Sequence, residues 1–236
     1  MTRLAGRIAL VTGASRGLGA AVAARFAAEG AQLVLVARTV GGLEETDDAV
    51  RAAGGSATLV PLDLADLDAI DRLGQSLYER FGRLDVLVGN AAALGTLSPA
   101  GHITPRDWAA VVTLNLTANW RLIRSLDPLL RASDAGRALF VTDAVARQPR
   151  AFWGAYAASK AGLEALVRVY ADETARTKLR VNLVDPGRLR TRLRARAYPG
   201  EKPETVPAPD SVTEAFVALA EPACIRHGET VIAAAP

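Results

Sequence analysis

Cysteine is almost absent: Cys224 is the only one in 236 residues, so no intramolecular disulfide and no cysteine-based metal site can form. Lysine is nearly as scarce, with Lys160, Lys178 and Lys202 alone among a basic set that is otherwise arginine. A surplus of one charge sign is missing too; the net charge is only +3, which gives no global attraction to nucleic acid or to a membrane surface. Long apolar runs are lacking. Ile8 to Val11, after Arg3 and Arg7, falls far short of a signal segment or a membrane span, so the expectation is a cytoplasmic protein without membrane attachment. His102, His227 and Cys224 stand apart with no partner spacing; none is assigned chemistry, and no metal site is expected.

What is present is half apolar and about a fifth charged, the balance of a globular chain with a sizeable core. The segments Ile8 to Thr12, Gln32 to Ala37, Thr58 to Leu62, Leu84 to Gly89, Ala138 to Thr142 and Val181 to Asp185 are short and nearly continuous in apolar residues. Strands buried on both faces need that pattern, and the helix-length stretches between them imply parallel crossovers. The sequence therefore predicts one α/β domain over 1–236, a doubly wound parallel sheet with helices on both faces. A helix near Ser211 to Ala220 and a last strand near Glu229 to Ala234 complete it. Thr104-Pro105-Arg106-Asp107 reads as a hydroxyl N-cap, an N1 proline and an N3 acid ahead of a helix over Trp108 to Leu130. Gly30 and Gly54 close the helices before the second and third strands, and the prolines between Tyr198 and Asp210 predict a surface loop.

The first strand runs out into Thr12-Gly13-Ala14-Ser15-Arg16-Gly17-Leu18-Gly19 and straight into a helix. Glycines let the backbone turn tightly and approach a pyrophosphate, whose charge is met by free N–H groups at the helix N-terminus. The spacing is G-x-x-x-G-x-G, not the G-x-G-x-x-G of the general dinucleotide fingerprint. A purely structural turn can use the same residues; the place at the first βα junction favours a cofactor. At the end of the second strand an acid would bind the ribose 2′-hydroxyl of NAD and a basic residue the 2′-phosphate of NADP. Here the strand ends Val36-Ala37-Arg38-Thr39, and Arg16 offers a second guanidinium, so NADP (NADPH) is expected in preference to NAD. The plainer reading leaves Arg38 as a solvated strand end.

Tyr156-Ala157-Ala158-Ser159-Lys160 sets a tyrosine and a lysine one helical turn apart, so both project from one face. With three lysines and four tyrosines in the chain, such a pair is rarely accidental. A nearby ammonium stabilises tyrosinate and lowers the tyrosine pKa from about 10 toward a working range, which makes Tyr156 a candidate general acid/base.

With these residues the sequence resembles the short-chain dehydrogenase/reductase family over essentially the whole chain. The family's glycine motif matches Thr12 to Gly19, giving Gly13, Ser15, Arg16, Gly17, Leu18 and Gly19 as cofactor contacts, and its adenine-contacting Asp matches Asp63, followed by Leu64. Its Asn-Ala-Gly motif matches Asn90-Ala91-Ala92, with Ala for the Gly. The Asn of its catalytic tetrad matches Asn115, and its Tyr and Lys match Tyr156 and Lys160. Its Pro-Gly motif matches Pro186-Gly187, followed by Leu189 and by Thr191, where the family's Thr contacts the carboxamide. The resemblance implies a Rossmann-like domain with a seven-stranded sheet and hydride transfer between NADP and a carbonyl or alcohol carbon. Lys160 would also hold the nicotinamide ribose, and Asn115 would order a water in the proton path. On residues alone, the plainer and less favoured readings are Asn90 as a strand-end cap and Asn115 as a locally bonded helix side chain, while Asp85 reads as structural rather than catalytic.

One position departs: the family's catalytic Ser falls on Asp143. A hydroxyl would donate to the substrate oxygen where negative charge develops, whereas an ionised carboxylate repels that charge and raises the Tyr156 pKa. Either a protonated Asp143 is the donor, or Thr142 supplies the hydroxyl, or carbonyl reduction is lost while NADP binding persists, as in a non-catalytic sensor or interaction protein. Thr142 ranks below Asp143 because side chains alternate along a strand. A methyltransferase of similar layout would have no use for the Tyr156/Lys160 pair.

Arg188, Arg190, Arg192, Arg194 and Arg196 occupy every second position in what the family uses as a substrate loop, here 188–210. Extended, they would form one anion-attracting edge, for a small carbonyl or alcohol substrate with an anionic group; in a helix they scatter. The favoured reading is a solvated face. Family members form dimers or tetramers through the two long helices, so a homo-oligomer is expected, with Ala157, Ala161, Ala165 and Leu166 permitting close packing.

Overall fold

The computed structural model describes residues 2–233; Ala234, at the end of the expected last strand, lies outside the described residues. Seven strands, β1 (Ile8–Thr12), β2 (Gln32–Ala37), β3 (Ser56–Pro61), β4 (Val86–Gly89), β5 (Arg137–Val141), β6 (Arg180–Asp185) and β7 (Thr230–Ile232), pair in parallel in the order β3-β2-β1-β4-β5-β6-β7. The direction of winding reverses between β1 and β4, which opens a crevice at their C-terminal ends. The helices are α1 (Gly17–Ala28), α2 (Val40–Ala52), α3 (Leu67–Phe81), α4 (Pro105–Val112), α5 (Ala118–Ala132), α6 (Gly154–Thr174), α7 (Arg192–Ala197) and α8 (Thr213–Ala220).

Alternation along the strands sorts the core into two layers. Ala9, Val11, Leu33 and Leu35 face Phe26 of α1, Leu43 of α2 and Phe216 of α8. Ile8, Leu10, Val34 and Leu87 face Ile70 of α3, Leu126 of α5 and Leu163 of α6. Both faces of the central strands are therefore dry, which is why their sequences lack polar alternation. The edge strand β3 is only partly buried and ends in Pro61, where an edge tolerates the missing N–H. At the other end of the strands, the buried Asp85 accepts the Ile8 N–H at 2.8 Å and the Ser133 hydroxyl, a structural role.

The helix ends follow their expected chemistry. Thr104 Oγ1 accepts the Asp107 N–H at 3.1 Å, and Gly30 and Gly54 turn the chain at φ +87° and +83°, in the left-handed region that favours glycine. The expected single helix over Trp108 to Leu130 is instead α4 and α5 joined by a π-helical turn, Thr113–Thr117. The helix expected from Ser211 starts at Thr213, after a 3₁₀ turn, Pro209–Val212, that has proline at its first position. The region 188–210 is not bare loop: it carries α7 and a 3₁₀ turn, Pro203–Thr205.

Candidate active site

The glycine turn lies where β1 hands over to α1. Gly13 and Gly17 hold φ of +64° and +57°, and a Cβ on Gly13 would stand 2.9 Å from the Ala91 Cα. Gly19 closes the turn from below, since a Cβ there would stand 2.3 Å from the Gly13 carbonyl oxygen. Helix α1 has no side-chain cap and no acid in its first turn, which leaves its leading N–H groups and its dipole for an anion. Thr12 Oγ1 accepts the N–H groups of Asn90 and Ala91 at 2.9 and 3.1 Å, and Asn90 Nδ2 donates to the Thr12 carbonyl at 2.9 Å. Asn90 thus clamps β1 to β4 beneath the turn, as a cap does.

A cleft of about 270 Å³ opens over this turn. Of the residues singled out from the sequence, Gly13, Ser15, Arg16, Gly17, Leu18, Arg38, Asp63, Leu64, Asn90, Ala91, Asp143, Tyr156, Lys160, Pro186, Gly187, Leu189 and Thr191 line it. Gly19 and Asn115 do not. Arg16 and Arg38 are both exposed, and Arg38 Nη1 stands 4.0 Å from Asp63 Oδ2. A glycine turn that a Cβ would obstruct, an uncapped helix N-terminus and two exposed guanidiniums, Arg38 at the β2 end and Arg16 in the glycine turn, fit a dinucleotide with a 2′-phosphate.

At the other end of the cleft, Tyr156 and Lys160 lie one turn apart on α6, both buried. Lys160 Nζ donates to the Val141 carbonyl at 2.7 Å and stands 5.8 Å from the Tyr156 ring centroid. Burial lowers the Lys160 pKa to about 8, against the upward pull of Asp143, Asp185 and Glu164. The Tyr156 hydroxyl donates to Asp143 Oδ2 at 3.4 Å. Burial, then the charge of Asp143 and this hydrogen bond, push Tyr156 well above its ordinary value. The expected lowering by Lys160 is overturned for this arrangement: the ammonium is turned to a main-chain carbonyl, and a carboxylate stands on the hydroxyl.

Asp143 is held in place by the Val145 N–H, which donates to its Oδ1 at 2.9 Å as the first cap of the 3₁₀ turn Ala144–Ala146. Thr142 is not free to replace it, because its Oγ1 donates to Glu164 Oε1 at 2.9 Å. Glu164, almost fully buried, also receives Arg147 and, at 2.6 Å, Arg168. Arg147 reaches on to Asp185, whose Oδ1 accepts the Gly187 N–H at 3.1 Å. This chain of charges fixes the Pro186-Gly187 turn against α6. Sequence reasoning missed it, because its members come from separate elements; the one signal in the sequence is the i,i+4 spacing of Glu164 and Arg168.

Asn115 sits in the π turn and is fully buried. Its Oδ1 accepts the Ala93 N–H at 2.8 Å, and its Nδ2 donates to the Ala93 carbonyl at 2.9 Å and to Ser159 Oγ at 3.0 Å. It ties the segment after β4 to α6, and its side chain has no group turned to the cleft.

An aromatic wall was also missed. The Trp153 ring meets Tyr156 edge-on at 5.8 Å and lies 5.8 Å from Tyr198, and all three line the cleft. Phe152, directly before Trp153, takes φ +74°, a strained value for an aromatic residue. The extended arginine edge is not formed, because α7 begins at Arg192. Arg194 lies 3.7 Å from the Tyr198 ring centroid and bonds both Glu201 oxygens at 2.7 Å, while Arg192 is exposed on the cleft wall.

Comparison with known proteins places these features among relatives. The family model for short chain dehydrogenase matches residues 7–202. The uncharacterized oxidoreductase YciK of Escherichia coli K12 is 36% identical over 216 residues, 90% of this chain and 85% of that protein. A 3-oxoacyl-[acyl-carrier-protein] reductase of Synechocystis is 34% identical over 81% of this chain and 77% of its own length. A Shigella flexneri 2a protein assigned to the short chain dehydrogenases and complexed with NADP superposes with a TM-score of 0.94 at 36% identity, covering 98% of both chains.

Proposed function

The chain belongs to the short-chain dehydrogenase family, and from that premise we propose that it is an NADP-dependent oxidoreductase using Tyr156 as its proton-transferring group. The observation that carries the reading is one cleft, in which the turn of Gly13 and Gly17, the exposed Arg16 and Arg38, and the buried Tyr156/Lys160 pair all face the same space. The bound nicotinamide supplies or accepts the hydride. Ser15, Gly17 and Leu18 would offer N–H groups to the pyrophosphate, Arg38 and Arg16 would hold the 2′-phosphate, and Asp63 and Leu64 would border the adenine. Lys160 would hold the nicotinamide ribose, and Pro186, Gly187, Leu189 and Thr191 would hold the carboxamide. Tyr156, kept a phenol by burial, donates a proton to the group being reduced. Asn115 supports this site through Ala93 and Ser159.

The substrate on this reading is a small molecule, and the enzyme is cytoplasmic, since a chain with a single cysteine needs no oxidising compartment. Among the described residues, no helix is long and apolar enough to cross a membrane. The test is a fluorescence titration with NADPH and NADH. The wild type should bind NADPH more tightly, and Arg38→Ala should weaken NADPH by about ten- to a hundredfold, the worth of a charge-assisted hydrogen bond, while leaving NADH unchanged. Equal loss for both cofactors would refute the role of Arg38.

A further inference from the structure

Asp143 stands where the reacting group of a substrate meets Tyr156, and its chemistry selects what suits that place. Its Oδ2 accepts from the Tyr156 hydroxyl, while its Oδ1 is fixed by the Val145 N–H, so the carboxyl is held beside the tyrosine hydroxyl on the cleft wall. Reduction of a carbonyl builds negative charge on oxygen, and a carboxylate beside it raises the barrier. Reduction of a protonated C=N group starts from a positive charge and discharges it. A carboxylate then holds the reactant through a charge-assisted hydrogen bond. The wall of the cleft carries the indole of Trp153, a ring of the kind that attracts cations, while Tyr198 already holds Arg194. The charge of Arg194, stacked on Tyr198, is matched by Glu201, and Lys160 is turned to the Val141 carbonyl.

We propose that the substrates are protonated imines, a C=N group carried on a cyclic or aromatic skeleton, with the N–H donating to Asp143; this rests on the oxidoreductase reading above. The C=N carbon accepts hydride from NADPH, which is oxidised to NADP⁺. The π electrons become the nitrogen lone pair and the N–H bond stays, so the product is a neutral secondary amine and no proton leaves the protein. An imine that arrives unprotonated takes its proton from Tyr156, which is reprotonated from water.

The test compares 3,4-dihydroisoquinoline with 1-tetralone, a ketone of the same bicyclic skeleton, as NADPH-driven substrates of the wild type, Asp143→Asn and Asp143→Ser. Calorimetry on the NADP⁺ complex measures binding of the ammonium form of 1,2,3,4-tetrahydroisoquinoline. The wild type should reduce the imine with the higher kcat/KM. Both substitutions should lower imine kcat/KM and ammonium affinity by about ten- to a hundredfold, the effect of removing a hydrogen bond to a charge, and Asp143→Ser should raise ketone reduction. NADPH affinity within about twofold of wild type, negligible on a tenfold-per-1.4 kcal/mol scale, shows that each variant is folded. Faster reduction of tetralone by the wild type, reduction of neither probe, or ammonium binding indifferent to residue 143 overturns the proposal. The oxidoreductase reading falls separately, if NADPH does not bind.

Discussion

Two groups of opposite tendency share the reacting end of the cleft, and their titrations set the working range. Lys160 has its pKa lowered to about 8 by burial, so its ammonium is present below that pH and discharged above it. Tyr156 is raised and stays a phenol across the same range. On the proposed mechanism, reduction uses the phenol as donor and the ammonium on the ribose, so kcat for reduction should fall as pH rises through about 8. A pH–rate profile would show it, and one that stays flat well above that point would contradict the role of Lys160. Tyr156→Phe should cut kcat by roughly a hundredfold or more with NADPH affinity retained; equal loss of both would mean a folding defect. Tyr156 and Lys160 were legible in the sequence because a helical turn brings them together. The clasp of Arg147 on Glu164 and Asp185 was not, because only the fold makes those three residues neighbours.

Strands were legible to within two residues because burial on both faces of the sheet leaves an uninterrupted apolar run with abrupt ends. The π turn at Thr113–Thr117 was not, since one extra residue in a helical turn leaves the apolar period almost intact. Nor was α7: alternating arginines fit a strand or a helix equally, and the contacts of Arg194 with Tyr198 and Glu201 decide between them. Space rather than propensity also separates two adjacent glycines at the start of α2. A Cβ on Gly41 meets nothing within 4 Å, whereas one on Gly42 would stand 2.9 Å from the Ser15 Cβ and carbonyl oxygen. Gly41→Ala should stabilise the protein by about 0.5–1 kcal/mol. Gly42→Ala should push Ser15 out of the phosphate turn, lowering Tm and weakening NADPH binding. Thermal melts with and without NADPH would test the pair, and a shift of the same sign in both would count against this packing.

At the scale of the molecule, α4, α5 and α6 each expose a large apolar side chain, as do other parts of the surface. Trp108 of α4, Trp120 of α5 and Val169 of α6 are 45%, 42% and 56% exposed, and Ala161 and Ala165 of α6 also face solvent, with Leu166 half-buried. Within one chain, only Ala157 of the expected alanine face is buried. The proposed homo-oligomer would place a second copy of the chain over α4, α5 and α6. Sedimentation should give a dimer or tetramer, and Trp120→Asp should lower the mass; a wild-type monomer at micromolar concentration would end that reading.

The tryptophans have a further consequence, an optical one. Trp108 and Trp120 lie on the outer helices, whereas Trp153 is packed against Tyr156 and Tyr198 in the cleft. In the separated chain the emission therefore divides into a part open to a dissolved quencher and a part that responds to whatever enters the cleft. Occupancy of the site is written into the light of a single indole.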